Sequence, residues 1–297
     1  MSTTAPRKLR SLLFVPADSE RKLAASLRSN ADGLIFDLED SVPETGKSDA
    51  RKTLKAFLTE HAEHMTQSVF VRVNSLSSPH ILNDLAAVIP HIPDAIVLPK
   101  CRGVQDVFRL CDYLSALEVA LLGGNWETGI IAMATESTEG IFGLSSYRNA
   151  PLRLRALMWG VEDLAADLGT LTTHDGASLT PPFAVARTMC LLAAAQAGVD
   201  AIDAVNTAVC DTEQIAREAA WAKRDGFSAK AAGHPSHVDP INEAFAPRDN
   251  EIAWARRVVE AFAQPGTVGV ARLDDQMIDR PHLRLAHRIL EDVEGVD

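Results

Sequence analysis

Cysteine is scarce in this chain: Cys101, Cys111, Cys190 and Cys210 are its only thiols, and no two stand in a Cys-x-x-Cys spacing. That argues against a structural zinc site and for a reducing compartment, with the thiols buried or incidental. Long apolar runs are missing too. No stretch reaches the roughly 18 uninterrupted apolar residues of a membrane span, and the basic residues near the N-terminus are not followed by the apolar segment of a secretory signal. Positive charge is the third deficit. With 29 Lys and Arg against 40 Asp and Glu, the formal charge is -11, which speaks against non-specific nucleic-acid binding yet permits a local basic pocket. Solenoid repeats and low-complexity tracts are also absent from the sequence. The expectation is a soluble, cytoplasmic protein that binds neither nucleic acid nor membrane.

What the chain does have is a recurring unit. Short apolar runs recur at residues 11–15, 34–38, 69–73, 95–98, 130–135, 156–159, 201–205 and 227–231. Helix-period segments lie between most of them, as at 19–29, 47–61, 78–89, 104–117 and 212–224. Eight runs joined by helical crossovers predict an α/β fold, a closed (β/α)8 TIM barrel, and 297 residues are enough for its core. The fifth link, around residues 138–147, is short, and the last strand is weakly patterned. After His237 the pattern changes to an amphipathic helix over 250–263, an extended stretch at 266–270 and a second helix over 281–290, with turns at Pro265-Gly266 and Asp274-Asp275. We therefore expect a barrel domain over 1–240 and a C-terminal helical tail over 241–297. The tail is too small to fold alone, so it packs on the barrel or on a neighbouring subunit.

In a parallel barrel, chemistry belongs at the C-terminal ends of the strands. Read in order, those ends carry Pro16, then Asp37, Glu39 and Asp40, then Arg72 and Asn74, then Lys100, Glu136, Asp163 and His234. The run through Thr135 stops at Glu136, and the run through Val161 stops at Glu162-Asp163, so two carboxylates share one rim. Without clustered His or Cys, Glu136 and Asp163 make a hard oxygen site that suits Mg²⁺, completed by water and substrate oxygens. Arg72 closes the run Val69-Phe70-Val71 and is placed to bind a carboxylate or steady an oxyanion. Asp and Glu beside small residues also cap helices, and that reading stands equally for Glu39, Asp40 and Glu162.

The wording of these segments resembles a known family. Leu12-Leu13-Phe14-Val15-Pro16, Phe36-Asp37-Leu38-Glu39-Asp40-Ser41-Val42-Pro43 with Lys47 and Ala50-Arg51, Val71-Arg72-Val73-Asn74, Val97-Leu98-Pro99-Lys100, Glu136-Ser137, and Gly160-Val161-Glu162-Asp163-Leu164 with Asp167-Leu168-Gly169 follow one another through nearly the whole chain. In that order they resemble the citrate lyase β-subunit-like branch of the HpcH/HpaI aldolase family. The resemblance implies a TIM barrel that binds Mg²⁺ through Glu136 and Asp163 and sets a keto acid on it, with Arg72 near the reacting carbonyl. It also implies that Met277-Ile278-Asp279 matches the tail motif of malyl-CoA and citramalyl-CoA lyases, in which the aspartate enters a neighbouring subunit's site. Asp279 is then a candidate acid supplied in trans, and its local alternative is to cap the helix that begins near Pro281. Three places depart from the pattern: Ala134-Thr135 before Glu136, Ala232-Gly233 before His234-Pro235, and Asp275 before the tail motif.

The expected reaction is Mg²⁺-dependent retro-Claisen cleavage of a 3-hydroxyacyl thioester such as citramalyl-CoA or malyl-CoA to acetyl-CoA and a 2-keto acid. Arg72 shares the developing charge, Glu39 holds Arg72 or a metal-bound water, and Asp279 protonates the enolate carbon. Coenzyme A is part of the substrate, and Arg21, Lys22 and Lys100 are candidates for its phosphates, although helix-surface charge also explains the first two. Thioester hydrolysis and cleavage of a citryl group on an acyl-carrier protein are the alternatives. The assembly expected is a homotrimer or homohexamer.

Overall fold

The computed structural model describes residues 9–124, 126–209, 211–264 and 269–294. Its strands begin with β1 Ser11–Pro16, β2 Gly33–Asp37, β3 Ser68–Arg72, β4 Ala95–Leu98, β5 Gly129–Met133 and β6 Leu154–Met158. A small hairpin, β7 His174–Asp175 with β8 Ser178–Leu179, precedes β9 Asp200–Asp203 and β10 Ala229–Ala232. The hairpin apart, these strands are parallel and close in the order β1-β10-β9-β6-β5-β4-β3-β2, a TIM barrel as expected. The strands read as continuous apolar runs because a closed parallel barrel buries both faces. Leu12, Ile35, Phe70, Val97, Ile131, Met158 and Ile202 fill the interior. The alternate residues Leu13, Leu34, Phe36, Val71, Ile96 and Leu157 face the helices, each contributing about 1.5–3 kcal/mol by leaving water.

The helical ring is α1 Glu20–Ser26, α2 Lys47–His61, α3 Ile81–Val88, α4 Val104–Leu122, α5 Thr138–Gly143, α6 Glu162–Leu168, α7 Pro181–Ala197, α8 Thr212–Asp225 and α9 Val238–Phe245. Several element bounds differ from the sequence expectation. Helix α4 runs on to Leu122, because the charged Glu118 that interrupts its apolar pattern is fully buried against Arg153 at 2.7 Å. It stops at Gly123, whose φ of 72° closes the last turn. The run expected to reach Thr135 ends at Met133 and the run expected to reach Val161 ends at Met158, so Glu136 lies in the turn after β5 and Asp163 in the first turn of α6. The weak last strand has a cause: Ala229 and Ala231 face inward, while Lys230 points out to Asp203.

A second unit begins at Ala246 and contains α10 Asp249–Ala263, the antiparallel pair β11 Val270–Leu273 and β12 Gln276–Asp279, and α11 Arg280–Glu294. Its buried cluster is small, Ala255, Val258, Ile278 and Ala286, and Met277 of the tail motif is 78% exposed. The Asp274-Asp275 turn sits between the two strands as expected. The Pro265-Gly266 turn, most of the expected stretch at 266–270 and Cys210 lie outside the described residues. Cys101 and Cys190 are buried and Cys111 is partly buried. No described helix is long and apolar enough to cross a membrane.

Candidate active site

Asp37 and Arg72 end adjacent strands as register partners, two residues beyond the inward-facing Ile35 and Phe70. The Arg72 Nε and Nη2 donate to Asp37 Oδ1 at 2.7 Å and Oδ2 at 2.6 Å, a bidentate clamp. The Cζ of Arg72 lies 5.0 Å from the Phe14 ring centroid. Nη1 approaches Glu39 Oε2 at 3.2 Å, near enough for charge attraction but out of line for a hydrogen bond. Burial opposes the charge of Arg72, yet Asp37, Glu39 and Glu136 together hold its pKa above the ordinary value. Burial likewise works against ionised Asp37, and the guanidinium overrides it to keep the carboxyl low.

The loop after β2 is held from behind by residues that the family motifs contain. Asp37 accepts the backbone N–H of Glu39 at 2.9 Å and of Ser41 at 3.2 Å. Lys47 Nζ donates to the carbonyls of Leu38 and Glu39 at 2.9 and 2.7 Å. Asn74 Nδ2 donates to the Leu38 carbonyl at 3.0 Å and to Asp84 at 2.6 Å, and Asp84 in turn takes Arg51 at 3.0 Å. Lys47, Arg51 and Asn74 therefore position the segment that carries Glu39.

Glu136, Lys100 and Asp163 line one open cavity of about 350 Å³ at the same end of the barrel. Glu136 is 4% exposed, and its Oε2 accepts the backbone N–H of Lys100 at 2.5 Å. Gly160, tied to Thr135 Oγ1 at 3.2 Å, packs so close that a Cβ there would stand 2.6 Å from the Glu136 Cγ. Burial first, and then the charges of Asp163 and Glu39, push the Glu136 carboxyl up to about 8, against the pull of the Lys100 N–H and of Arg72. Burial also raises Glu39 to about 7, with Arg72 and Lys100 opposing. A buried carboxylate whose acidic neighbour resists its ionisation is a fitting ligand for a hard divalent cation. Mg²⁺ takes one or two carboxylates and keeps waters, so Glu136 and Asp163 suit it without a third acidic ligand. Among the described residues no group of three or more His, Cys, Asp or Glu could hold a metal.

The remaining candidates are placed as follows. Lys100 turns its ammonium inward, 2.5 Å from Glu39, 3.2 Å from Asp40 and 3.6 Å from Asp163, so its charge is engaged by carboxylates. Arg21 and Lys22 are exposed in the first turn of α1, on the segment that follows β1. His234 caps the turn at Pro235–His237 by accepting the Ser236 N–H at 3.2 Å. Asp279 ends β12 in the second unit, 52% exposed, with Oδ1 2.6 Å from His282 Nδ1. A larger cavity, about 610 Å³, lies between α7 and α8 and is lined by Arg187, Asp203, Glu218 and Lys230. Asp203 and Lys230 alternate with the inward residues Ile202, Ala229 and Ala231, so this space is on the helix side of the barrel wall. Its charges are matched internally: Asp203 takes Arg187 at 2.9 Å and Lys230 at 3.3 Å. The mouth of the barrel, where carboxylates outnumber the cations that face them, is the better site for chemistry.

Sequence reading found Arg72, Glu39, Glu136 and Asp163, which the fold gathers at one rim. It missed Asp37 as the partner of Arg72, although counting residue parity along β2 and β3 would have found it. Comparison with known proteins identifies the family. Residues 10–235 match the HpcH/HpaI aldolase/citrate lyase family, and residues 185–295 match a C–C bond lyase family of the TIM-barrel fold. The citrate lyase subunit beta of Escherichia coli is 35% identical over 97% of this chain and 94% of its own length. A (3S)-malyl-CoA thioesterase of Cereibacter sphaeroides is 30% identical over 97% of this chain and 95% of its own. The crystal structure of CitE from Mycobacterium tuberculosis with magnesium, acetoacetate and coenzyme A superposes with a TM-score of 0.78 at 28% identity, covering 97% of this chain and 99% of that one. Together the matched residues and the barrel establish that this chain belongs to the HpcH/HpaI aldolase/citrate lyase family, among the citrate lyase β-like carbon–carbon bond lyases.

Proposed function

We propose that the protein cleaves a 3-hydroxyacyl-CoA of the citramalyl-CoA or malyl-CoA type to acetyl-CoA and a 2-keto acid, with Mg²⁺ held by Glu136 and Asp163. The observation that carries this reading is the joint presence, at one rim, of a clamped guanidinium and a carboxylate pair suited to a hard cation. When bound, Mg²⁺ supplies Lewis-acid polarisation of the keto acid's oxygens and a template for them. Arg72, fixed by Asp37, faces the developing charge on the keto-acid or enolate oxygen without having to reorganise. Glu39, with its carboxyl pushed up to about 7, accepts the proton of the substrate hydroxyl as the C–C bond breaks. Asp279, delivered by the tail of a neighbouring copy in a homotrimer or homohexamer, gives a proton to the enolate carbon. Arg21 and Lys22 meet the phosphates of coenzyme A.

The thioesterase of 30% identity and near-complete coverage favours a second reading, in which the same rim directs water onto the thioester carbonyl. Incubation with Mg²⁺ and either acyl-CoA, followed by mass spectrometry with and without EDTA, separates the two. Metal-dependent acetyl-CoA with pyruvate or glyoxylate supports the lyase and names its keto acid. Free coenzyme A with intact hydroxy acid selects the thioesterase. Turnover of neither, with cleavage of a citryl-carrier protein, would assign the citrate lyase subunit role that the Escherichia coli relative has by name.

A further inference from the structure

The charges around the barrel mouth do not balance. Asp37, Glu39, Asp40, Glu136 and Asp163 face Arg72 and Lys100, and Asp37 gives both oxygens to Arg72. Arg102, also at the cavity wall, pairs with Asp106 at 3.3 Å and Glu139 at 3.8 Å. The Lys100 ammonium thus answers Glu39, Asp40 and Asp163 together. Burial works against its charge, and the hydrogen bond to Glu39 with the charges of Glu39, Asp163 and Asp40 outweighs burial to hold it protonated.

The backbone shows that this placement is maintained at a cost. Lys100 sits at φ 53°, in the left-handed region that glycine enters freely and a side-chain-bearing residue enters at a cost. That turn sends its N–H to Glu136 and its side chain back across the mouth to the loop after β2. Glycine would supply the same N–H with less strain; what lysine adds at this position is the ammonium.

From this geometry we infer that Lys100 is a tethered cation that competes with the divalent metal for Asp163 and so sets the metal affinity of the site. The inference rests on the reading of Glu136 and Asp163 as metal ligands. Asp163 is the shared group: one oxygen is 3.6 Å from the ammonium, and the same carboxylate is a proposed ligand. In the metal-free protein Lys100 keeps the acidic rim from repelling itself. On metal entry Asp163 exchanges one cation for another while Lys100 stays on Glu39 and Asp40. A weaker, exchangeable metal is the result.

Calorimetric titration of the full chain with Mg²⁺ alone tests this. Lys100→Met and Lys100→Gln remove the charge and should tighten Mg²⁺ binding roughly tenfold or more, whereas Lys100→Arg should stay within about threefold of wild type. Near-UV circular dichroism checks that each variant is folded. Equal or weaker binding by both folded neutral variants overturns the inference and makes Lys100 a support of the site. Mg²⁺ binding that survives both Glu136→Gln and Asp163→Asn overturns the underlying metal reading, and the inference with it.

Discussion

At the scale of single residues, the strongest prediction concerns the clamp. Asp37 and Arg72 side chains are 2% and 11% exposed, so removing one charge strands the other in a poorly hydrated site. Asp37→Asn should lose about 3–5 kcal/mol of stability in urea unfolding, together with turnover, because Arg72 is no longer held. A loss under 1 kcal/mol would show the pair to be solvent-relaxed. The raised carboxyls give a second prediction. Glu136 and Glu39 are held at about 8 and about 7, above an ordinary 4.5. The folded, metal-free protein therefore keeps protons that the unfolded chain has released. Their contribution to stability is full below pH 4.5 and is lost as pH rises through 7 and 8. Mg²⁺ competes with those protons, so its affinity should climb over the same window and its binding near pH 7 should release protons. Calorimetry in buffers of different ionisation heat measures this release, and its absence would mean that Glu136 is already ionised.

At the scale of elements, the turn between β6 and α6 is the piece that brings the two acidic side chains together. Gly160→Ala should press on Glu136, lowering Mg²⁺ affinity about tenfold or more while the thermal midpoint moves little. An unchanged affinity would mean that Glu136 yields freely. Elements were also the scale at which the sequence was most legible. Most of the eight runs were visible because their strands are apolar on both faces; β10, with Lys230 turned outward, was the weakest. Glu118 hid the end of α4, since a buried carboxylate paired with Arg153 breaks the pattern without breaking the helix. At the site, Arg72, Glu39, Glu136 and Asp163 could be read because each follows closely on an apolar run of the sequence. The partnership of Asp37 with Arg72 depends on cross-strand register, and the direction of Lys100 depends on one left-handed backbone angle. Neither is carried by local composition.

At the scale of the whole molecule, the proposed transfer of Asp279 between copies predicts complementation. Mixing inactive Asp279→Asn and Arg72→Ala proteins, then letting subunits exchange, should restore activity to about a quarter of wild type, since one site in four receives both intact residues. No recovery after verified exchange would rule out delivery of Asp279 from a neighbouring copy. The cavity between α7 and α8 bears on the behaviour of the barrel itself. Where other strands are backed by Leu, Phe and Val, β9 and β10 are backed there by the ion pairs of Asp203 and Lys230. Hydrogen-exchange mass spectrometry should find the amides of β9 and β10 labelling before those of β2 and β3. The ring of the barrel then has a seam, and partial opening along it would let the polar flank breathe while the wall that carries Arg72 and Asp37 stays shut.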